Sequence, residues 1–509
     1  MKRRVSALAL AVLLTLGGCS LPGDPAVTPT PSPTPSPTPE PVETVFSLPC
    51  YPEDGFHPIT GANRTNLLLA PLVYEGLFAL DETFTPHEAL CEDWTVSEDG
   101  LVWTFTLRSA TFSDGSPLTA DDAAYSLTLA MGSELYGERL RGIRAVSAPA
   151  EDTLVLTLHA PNGGLRALLD VPIVREGAEG EPPLGTGDYA LIFGGEHWLL
   201  RRVSPVSEGS SAPVEIPLYS IRQTDDLIYA FDAQNISLVS TDLTGTNSLG
   251  FSGSFETWDY PTTTLLYVGL RTDGGPCAEQ AVRQALLYGF DRSAVVSSLL
   301  SRHAQAATLP IHPDSPLYDQ DLAGELEFSY QTMEQRLEEA GWVLSDAVRV
   351  RGREQLTLTF LVNSENTAKR SIAEHLSAGL ERAGVAVELK VLPWEDYMAA
   401  LERGNFDLYL GEVRLTADFD LSPLLSSGGS LNYGGYADAE TDTLLAAFRA
   451  AAESSRPAAA ADLCAHLAQT VPLVPLCFKN GSVLTHWGDL SGLTPTQQNV
   501  FYGFDGWEL

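Results

Sequence analysis

Within residues 101–107, Trp103, Phe105 and Leu107 alternate with Val102, Thr104 and Thr106, the period of a strand with one face buried. Ser113-Asp114-Gly115-Ser116-Pro117 then turns the chain. Thr119, with Asp122 three residues on, reads as a capping box opening a helix over 120–131. Residues 153–158 alternate again as a strand. In the second half the period switches repeatedly between about 3.6 and 2. Helices are predicted over 278–290, from the cap Asp291 to 300, over 332–340 closed by Gly341, over 368–383 closed by Gly384 and over 394–403 closed by Gly404. Strands are predicted over 356–362, 385–391 and 406–410. This order is that of an α/β fold with a sheet covered by helices.

The first residues follow another rule. Met1-Lys2-Arg3-Arg4 is basic, and an apolar or small run extends to Gly18. That run is too short to span a bilayer and suits the h-region of a signal peptide. It ends Leu16-Gly17-Gly18-Cys19, which resembles a bacterial lipobox, so residues 1–18 are expected to be a signal peptide and Cys19 a lipidated N-terminus holding the chain to the membrane. Residues 28–41 read TPTPSPTPSPTPEP, which forbids helix and sheet ladders and favours extended polyproline II. Residues 19–44 are therefore read as a tether. No later apolar run is long enough to cross a membrane.

Charge narrows the partners. The chain has 509 residues, with 66 Asp+Glu against 30 Lys+Arg and a net charge of −36. Such a chain repels phosphate backbones, which excludes nucleic acid as a partner class. Five cysteines follow Cys19, and Cys50 with Cys91 and Cys464 with Cys477 are candidate disulfide pairs by proximity in sequence. No GxSxG, HExxH, Walker A or EF-hand pattern occurs, and nothing calls for a cofactor. His303 and His312 share a loop-like stretch and form the one weak candidate for a metal pair.

Several segments together resemble the extracellular solute-binding proteins of family 5, the oligopeptide- and dipeptide-binding lipoproteins of ABC importers. The most specific runs from Trp94 through Ser97, Asp99 and Gly100 to Trp103-Thr104-Phe105-Thr106-Leu107-Arg108, and continues into Phe112-Ser113-Asp114-Gly115. Pro71-Leu72-Val73-Tyr74-Glu75-Gly76-Leu77, Leu184-Gly185-Thr186-Gly187-Asp188-Tyr189, Val282-Arg283-Gln284-Ala285-Leu286 with Phe290-Asp291-Arg292, and the LEEAGW of 337–342 add to it. The resemblance implies a two-lobed clamp of the periplasmic-binding-protein type (type II, class C) with an extra subdomain on the first lobe. Lobe one would comprise 45–262 plus 471–509 and lobe two 263–470. It further implies a monomeric non-enzyme at the extracytoplasmic face of the membrane, on the cell surface or in the periplasm. Such a protein captures a solute between its lobes and delivers it to a permease driven by separate ATPase subunits. A non-peptide solute (nickel chelate or oligosaccharide) and a sensory lipoprotein without transport stay open beside peptide capture.

Site residues also come from the resemblance. Asp418, in Leu415-Thr416-Ala417-Asp418-Phe419, matches the Asp of a W-x-A-D-(Y/F) segment that takes a peptide's N-terminal ammonium, with Leu415 where relatives carry Trp. On that basis Asp418→Asn is expected to weaken peptide binding by about 1.5–3 kcal/mol. Trp394 stands where relatives place a cleft tryptophan at a helix start. Asn432, Tyr433 and Tyr436 match a segment running close to the cleft. Tyr74 lies in an early segment that often touches the cleft, and Arg414 is a candidate partner for a ligand carboxylate.

Overall fold

The computed structural model describes residues 45–177, 182–206, 209–246 and 248–509. Cys19, the signal peptide and the Pro-rich tether lie outside the described residues. Alternation in the first half yields a four-stranded antiparallel sheet in the order Cys91–Val96, Val102–Leu107, Thr153–Leu158, Ile143–Ala150. Trp103, Phe105 and Leu107 are its buried face. The helix Ala120–Met131 packs on this sheet, and the Thr119 N–H and hydroxyl both donate to Asp122 at 2.8 Å. A second small sheet joins Leu48–Cys50 to Glu215–Ser220, Trp198–Arg202 and Tyr189–Phe193. Gly185 and Gly187 lie against the main chain of Val73, so closely that a Cβ on Gly185 would sit 2.1 Å from the Val73 carbonyl oxygen. The G-T-G segment thus serves close packing of backbone on backbone.

Four strands organise the rest: β1 (Leu238–Thr241), β2 (Phe255–Leu270), β3 (Leu408–Arg414) and β4 (Leu473–His486). They lie in the order β1, β4, β2, β3, followed by Thr357–Asn363 and Ala386–Leu392. The first four pair antiparallel, while Thr357–Asn363 runs parallel to both β3 and Ala386–Leu392. Helices predicted over the second half form with small shifts: Tyr330–Glu339, Thr367–Arg382 and Trp394–Glu402. Gly341, Gly384 and Gly404 follow them in the left-handed region. The helix expected from Asp291 opens as predicted, with the Asp291 side chain accepting from the Ala294 N–H, and widens into a π-turn over Val295–Leu299.

Two large cores result. One gathers residues of 46–260 with Val483 and the segment 490–507; the other gathers 265–478. β2 and β4 contribute to both. Leu80, Phe84 and Ala167 come from the first half yet pack into the second core. Phe84 is held in the left-handed region at φ 65° by a turn in which Asp81 accepts from the Thr83 N–H, the Thr83 hydroxyl and the Thr85 N–H. That geometry drives the Phe84 ring between His312 at 5.1 Å and Phe419 at 5.5 Å. Phe478 on β4 closes the cluster, 5.0 Å from His312.

All five described cysteines are free and buried. The candidate pairs Cys50–Cys91 and Cys464–Cys477 are therefore not formed. Cys50 and Cys91 sit on strands of different sheets, and Cys464 is on a helix while Cys477 lies within β4. Burial pushes the Cys50, Cys464 and Cys477 thiols up to about 12, so each behaves as a small apolar side chain. The two loop histidines also part. His303 bonds Asp259 at 2.8 Å, whereas His312 is wholly buried. Among the described residues no group of three or more His, Cys, Asp or Glu is arranged to hold a metal.

His312 gives a testable pH dependence. Burial pushes its imidazole down to about 4, and the Asp314 carboxylate 3.8 Å away offsets only part of that. Its Nδ1 accepts from the Asp314 N–H, as a neutral ring does. Between pH 6.5 and 4 the unfolded chain binds a proton that the folded chain refuses. The contribution is therefore full above pH 6.5 and is lost as pH falls towards 4. Urea unfolding should show the protein about 2 kcal/mol less stable at pH 5 than at pH 7 from this group, and His312→Gln should remove that share of the difference.

Candidate functional site

The site begins with a break in a ladder. β2 and β4 pair from Phe255↔His486 to Pro261↔Asn480 and again from Leu265↔Phe478, with the register lost between. Pro261 has no N–H to give to a ladder. Thr262 and Thr263, the next two residues, supply hydroxyls instead. Thr262 Oγ1 donates to the Lys479 carbonyl at 2.6 Å and accepts from the Thr264 N–H at 3.1 Å. Thr263, fully buried, donates its N–H to Gln497 Oε1 and its hydroxyl to the Leu415 carbonyl, both at 2.6 Å. Buried backbone groups at the break are thus satisfied by side chains, and the β2–β4 ladder is interrupted there while the pairing of β2 with β3 begins at Thr264. β3 ends beside this break with Arg414 opposite Thr264, and β1 ends nearby with Thr241 opposite Ser482.

Arg414 is open to solvent yet walled in by protein. Desolvation lowers its pKa first; the Tyr260 phenol opposes that, Arg139 and Arg64 lower it further, and Asp170 raises it. Arg139, Arg64 and Asp170, which belong to the other core's half of the chain, thus act on its charge. Arg139 approaches Asp170 at 2.9 Å, but the pair lacks hydrogen-bond alignment: Arg139 Nε, one of its terminal nitrogens and Asp170 Oδ1 are buried without a hydrogen-bond partner. The Arg139 guanidinium lies 4.9 Å from the centre of the Tyr136 ring. Burial pushes the Tyr136 phenol up to about 12, with Arg139 and Arg414 pulling against it. Among the described residues neither Arg64 nor Arg414 makes a side-chain hydrogen bond or ion pair.

Nearby acids are already spent. Lys479, 3% exposed, places Nζ 2.7 Å from Asp242 and 3.5 Å from Glu412, and Glu412 is also 3.2 Å from Lys369. Burial pushes the Asp242 carboxyl up, but Lys479 and the hydrogen bonds of Thr244 hold it below the usual range. Asn366, capping the helix Thr367–Arg382, reaches Thr246 Oγ1 at 3.2 Å, so the loop after β1 touches the start of that helix.

The residues proposed from sequence scatter around this frame. Asp418 is 4% exposed and its acceptors are occupied: Oδ1 by the Thr416 hydroxyl at 2.5 Å and the Asp420 N–H at 3.3 Å, Oδ2 by Asn162 at 3.1 Å. Arg456 holds its carbonyl at 2.7 Å, and Gly164 packs so tightly above that a Cβ would lie 2.8 Å from the Asp418 Cβ. Trp394 is 56% exposed at its helix start, stacked on Tyr397, with its N–H on Glu365 next to Asn366. Asn432 braces its own loop through the Ser426 and Tyr436 carbonyls. Tyr433 packs edge-on against Tyr409, and Tyr436 is buried with its hydroxyl on Thr441 and Thr470. That loop is tied to Thr272, beyond the far end of β2, which is itself about 20 Å along the strand from Thr264. Tyr74 is buried in the first core with its hydroxyl on the Pro183 carbonyl. Of these residues only Arg414 stands among the converging charges. Arg64, Arg139, Asp170 and Lys479 carry no local sequence signal, because they meet only through the fold.

Residues 85–432 match the family model described as bacterial extracellular solute-binding proteins, family 5 Middle. The chain belongs to this family. Relatives include Protein XP55 of Streptomyces lividans, 27% identical over 76% of this chain and 75% of that protein. The oligopeptide-binding protein AppA of Bacillus subtilis is 20% identical over 77% of each chain. AppA's structure in complex with a nonapeptide aligns with a TM-score of 0.58 at 19% identity, over 91% of this chain and 97% of that one. NikZ of Campylobacter jejuni in complex with Ni(L-His) aligns with a TM-score of 0.63 at 19% identity, over 92% and 100%. The fold of this family 5 protein is accordingly the two-lobed clamp, and β2 and β4 are the strands that contribute to both cores.

The sealed surroundings of Asp418 change what its substitution should do. In Asp418→Asn the bonds from Asn162 and Thr416 lose their charge, at a cost of about 1–3 kcal/mol in stability. Urea unfolding should record that loss, while titration of a bound peptide should give an unaltered affinity.

Proposed function

We propose that this protein is the solute-capturing component of an ABC importer, taking a peptide between its lobes and handing it to membrane permease subunits driven by separate ATPase subunits. It performs no chemistry on the solute. It acts as a monomer at the extracytoplasmic face of the bacterial membrane, anchored through lipidated Cys19. Lobe one is 45–262 with the C-terminal segment, lobe two begins at Thr263, and the return crossing lies near Lys479–Gly481, a few residues later than position 471.

The observation that carries this reading is the joint at Pro261–Thr264. Two crossing strands lose their register where the cores part, and side-chain hydroxyls replace the ladder. Such a joint absorbs a hinge rotation with little loss of backbone bonding, which is what closure around a solute requires. AppA's nonapeptide complex supports a peptide as the solute. NikZ's Ni(L-His) complex supports a second reading, a nickel chelate.

Thermal denaturation with di- to nonapeptides, nickel–histidine and oligosaccharides tests the reading. A ligand at 100 times its Kd should stabilise the fold by about 2.7 kcal/mol, a shift of several degrees. Stabilisation by peptides supports the proposal, and stabilisation by nickel–histidine alone supports the second reading. No stabilisation by any of them contradicts solute capture.

A further inference from the structure

Two segments singled out in the sequence converge away from the joint. Arg283, in Val282-Arg283-Gln284-Ala285-Leu286, and the loop through Tyr436 line one recess of about 260 Å³, together with Thr272, Gln280, Asp438 and Thr470. Thr272 follows β2 at the end away from the break, and that end is itself about 20 Å along the strand from Thr264. The frame of the recess is tightly packed. The Thr272 N–H and hydroxyl both donate to the Gly434 carbonyl, at 2.7 and 3.1 Å, and a Cβ on Gly434 would sit 2.2 Å from the Leu270 carbonyl oxygen. Arg283 is only 7% exposed. Its Nε donates to the Thr470 and Val471 carbonyls at 2.9 and 3.1 Å, and its Nη1 to those of Cys277 and Ala278 at 2.9 and 3.1 Å. Among the described residues Nη2 makes no hydrogen bond, and no carboxylate pairs with this guanidinium although acids outnumber bases 66 to 30. Asp438 is the acid of the recess. Its Oδ1 accepts from the Thr441 N–H at 2.7 Å and lies 3.0 Å from His466 Nε2, while Oδ2 makes no hydrogen bond among the described residues. The Thr441 N–H, ahead of His466, holds this carboxyl below the usual range against some desolvation.

We propose that this recess is a second binding site, built for one free α-amino acid, with the carboxylate on Arg283 Nη2 and the ammonium on Asp438 Oδ2. A solely anionic ligand would meet Asp438, and a solely cationic one would meet Arg283; a molecule carrying both charges satisfies both groups. The bound carboxylate gives the buried guanidinium the charged partner that its four carbonyl bonds do not supply. The volume lies below the roughly 300–1,000 Å³ of pockets for drug-sized ligands, which suits a single amino acid. No large aliphatic side chain lines the recess, so the ligand is held by its charged ends and the identity of its side chain matters little. The site is separate from solute capture between the lobes and does not rest on that reading.

Calorimetric titration of the purified protein with L-alanine, L-glutamine, propionate and L-alaninamide tests the site. The two amino acids should bind within about threefold of each other, and each at least about 10-fold more tightly than propionate, which lacks the ammonium, or alaninamide, which lacks the carboxylate. Ala437→Trp and Gln280→Trp, both at exposed positions of the lining, should each fill the recess without touching the core and remove amino-acid binding. Asp438→Asn keeps a residue that caps a helix and should weaken amino-acid binding about 10-fold through the lost charge. Equal binding of alanine, propionate and alaninamide overturns the proposal on the unaltered protein, whatever the variants do. No binding of either amino acid at about 10 mM overturns it as well. So does undiminished amino-acid binding by folded Ala437→Trp and Gln280→Trp proteins, since the ligand would then sit elsewhere. A tryptic digest of casein, titrated in parallel, keeps the two readings apart: failure to bind it counts against solute capture and leaves this site standing, and the blocked variants should bind it as the unaltered protein does.

Discussion

Two strands have to belong to two cores at once, and most of what distinguishes this protein follows from how β2 and β4 meet that constraint. A continuous antiparallel ladder would fuse the lobes into one stiff sheet. The ladder is instead interrupted at Pro261–Thr264, where proline withholds a donor and the hydroxyls of Thr262 and Thr263 take over the bonding. β1 and β3 stop beside the interruption from opposite sides. Asp242, just past the end of β1, meets Lys479 on β4 there.

Contacts between the lobes are of two kinds, and they differ in what separating them would cost. Phe84 packs among His312, Phe419 and Phe478, an apolar contact with nothing polar to reward its opening except the imidazole. Charged and polar contacts lie around the break and also where Arg166 meets Glu453 and Asn162 meets Asp418. Lys479 is satisfied by two carboxylates, and a buried, doubly paired lysine is a stable part of the joint.

Legibility in the sequence followed the range of the interactions. Thr119 and Asp122 act three residues apart, and the capping box they announce is present. Gly341, Gly384 and Gly404 end helices by their own backbone freedom, and the helix at Trp394 starts where its flanking proline indicates. β2 could not be read as one strand. Its first part is half-exposed and its second part is buried on both faces, so no single period runs through it. Asp418 shows the limit of a local motif: the segment is recognisable, but the group that fills its carboxylate, Asn162, lies 256 residues away. The cysteines failed in the same manner, since proximity in sequence put Cys464 and Cys477 on a helix and a strand that do not present them to each other as a bridge. Arg64, Arg139 and Arg414 come from segments far apart in the chain, and a global excess of acid hid them further.

The central claim is that the lobes close about the Pro261–Thr264 joint when a solute enters. A distance measurement across the cleft tests it most directly. Spin labels on Glu134→Cys and Glu395→Cys, both at exposed positions, would report on opposite lobes, and the five buried native thiols between Cys50 and Cys477 would stay unlabelled. With Cys19 replaced by serine and bound solute removed under denaturant, pulsed dipolar spectroscopy should give a broad, long distance distribution, narrowing and shortening when a mixed peptide digest is added. An identical distribution with and without a digest that binds would contradict closure about this joint.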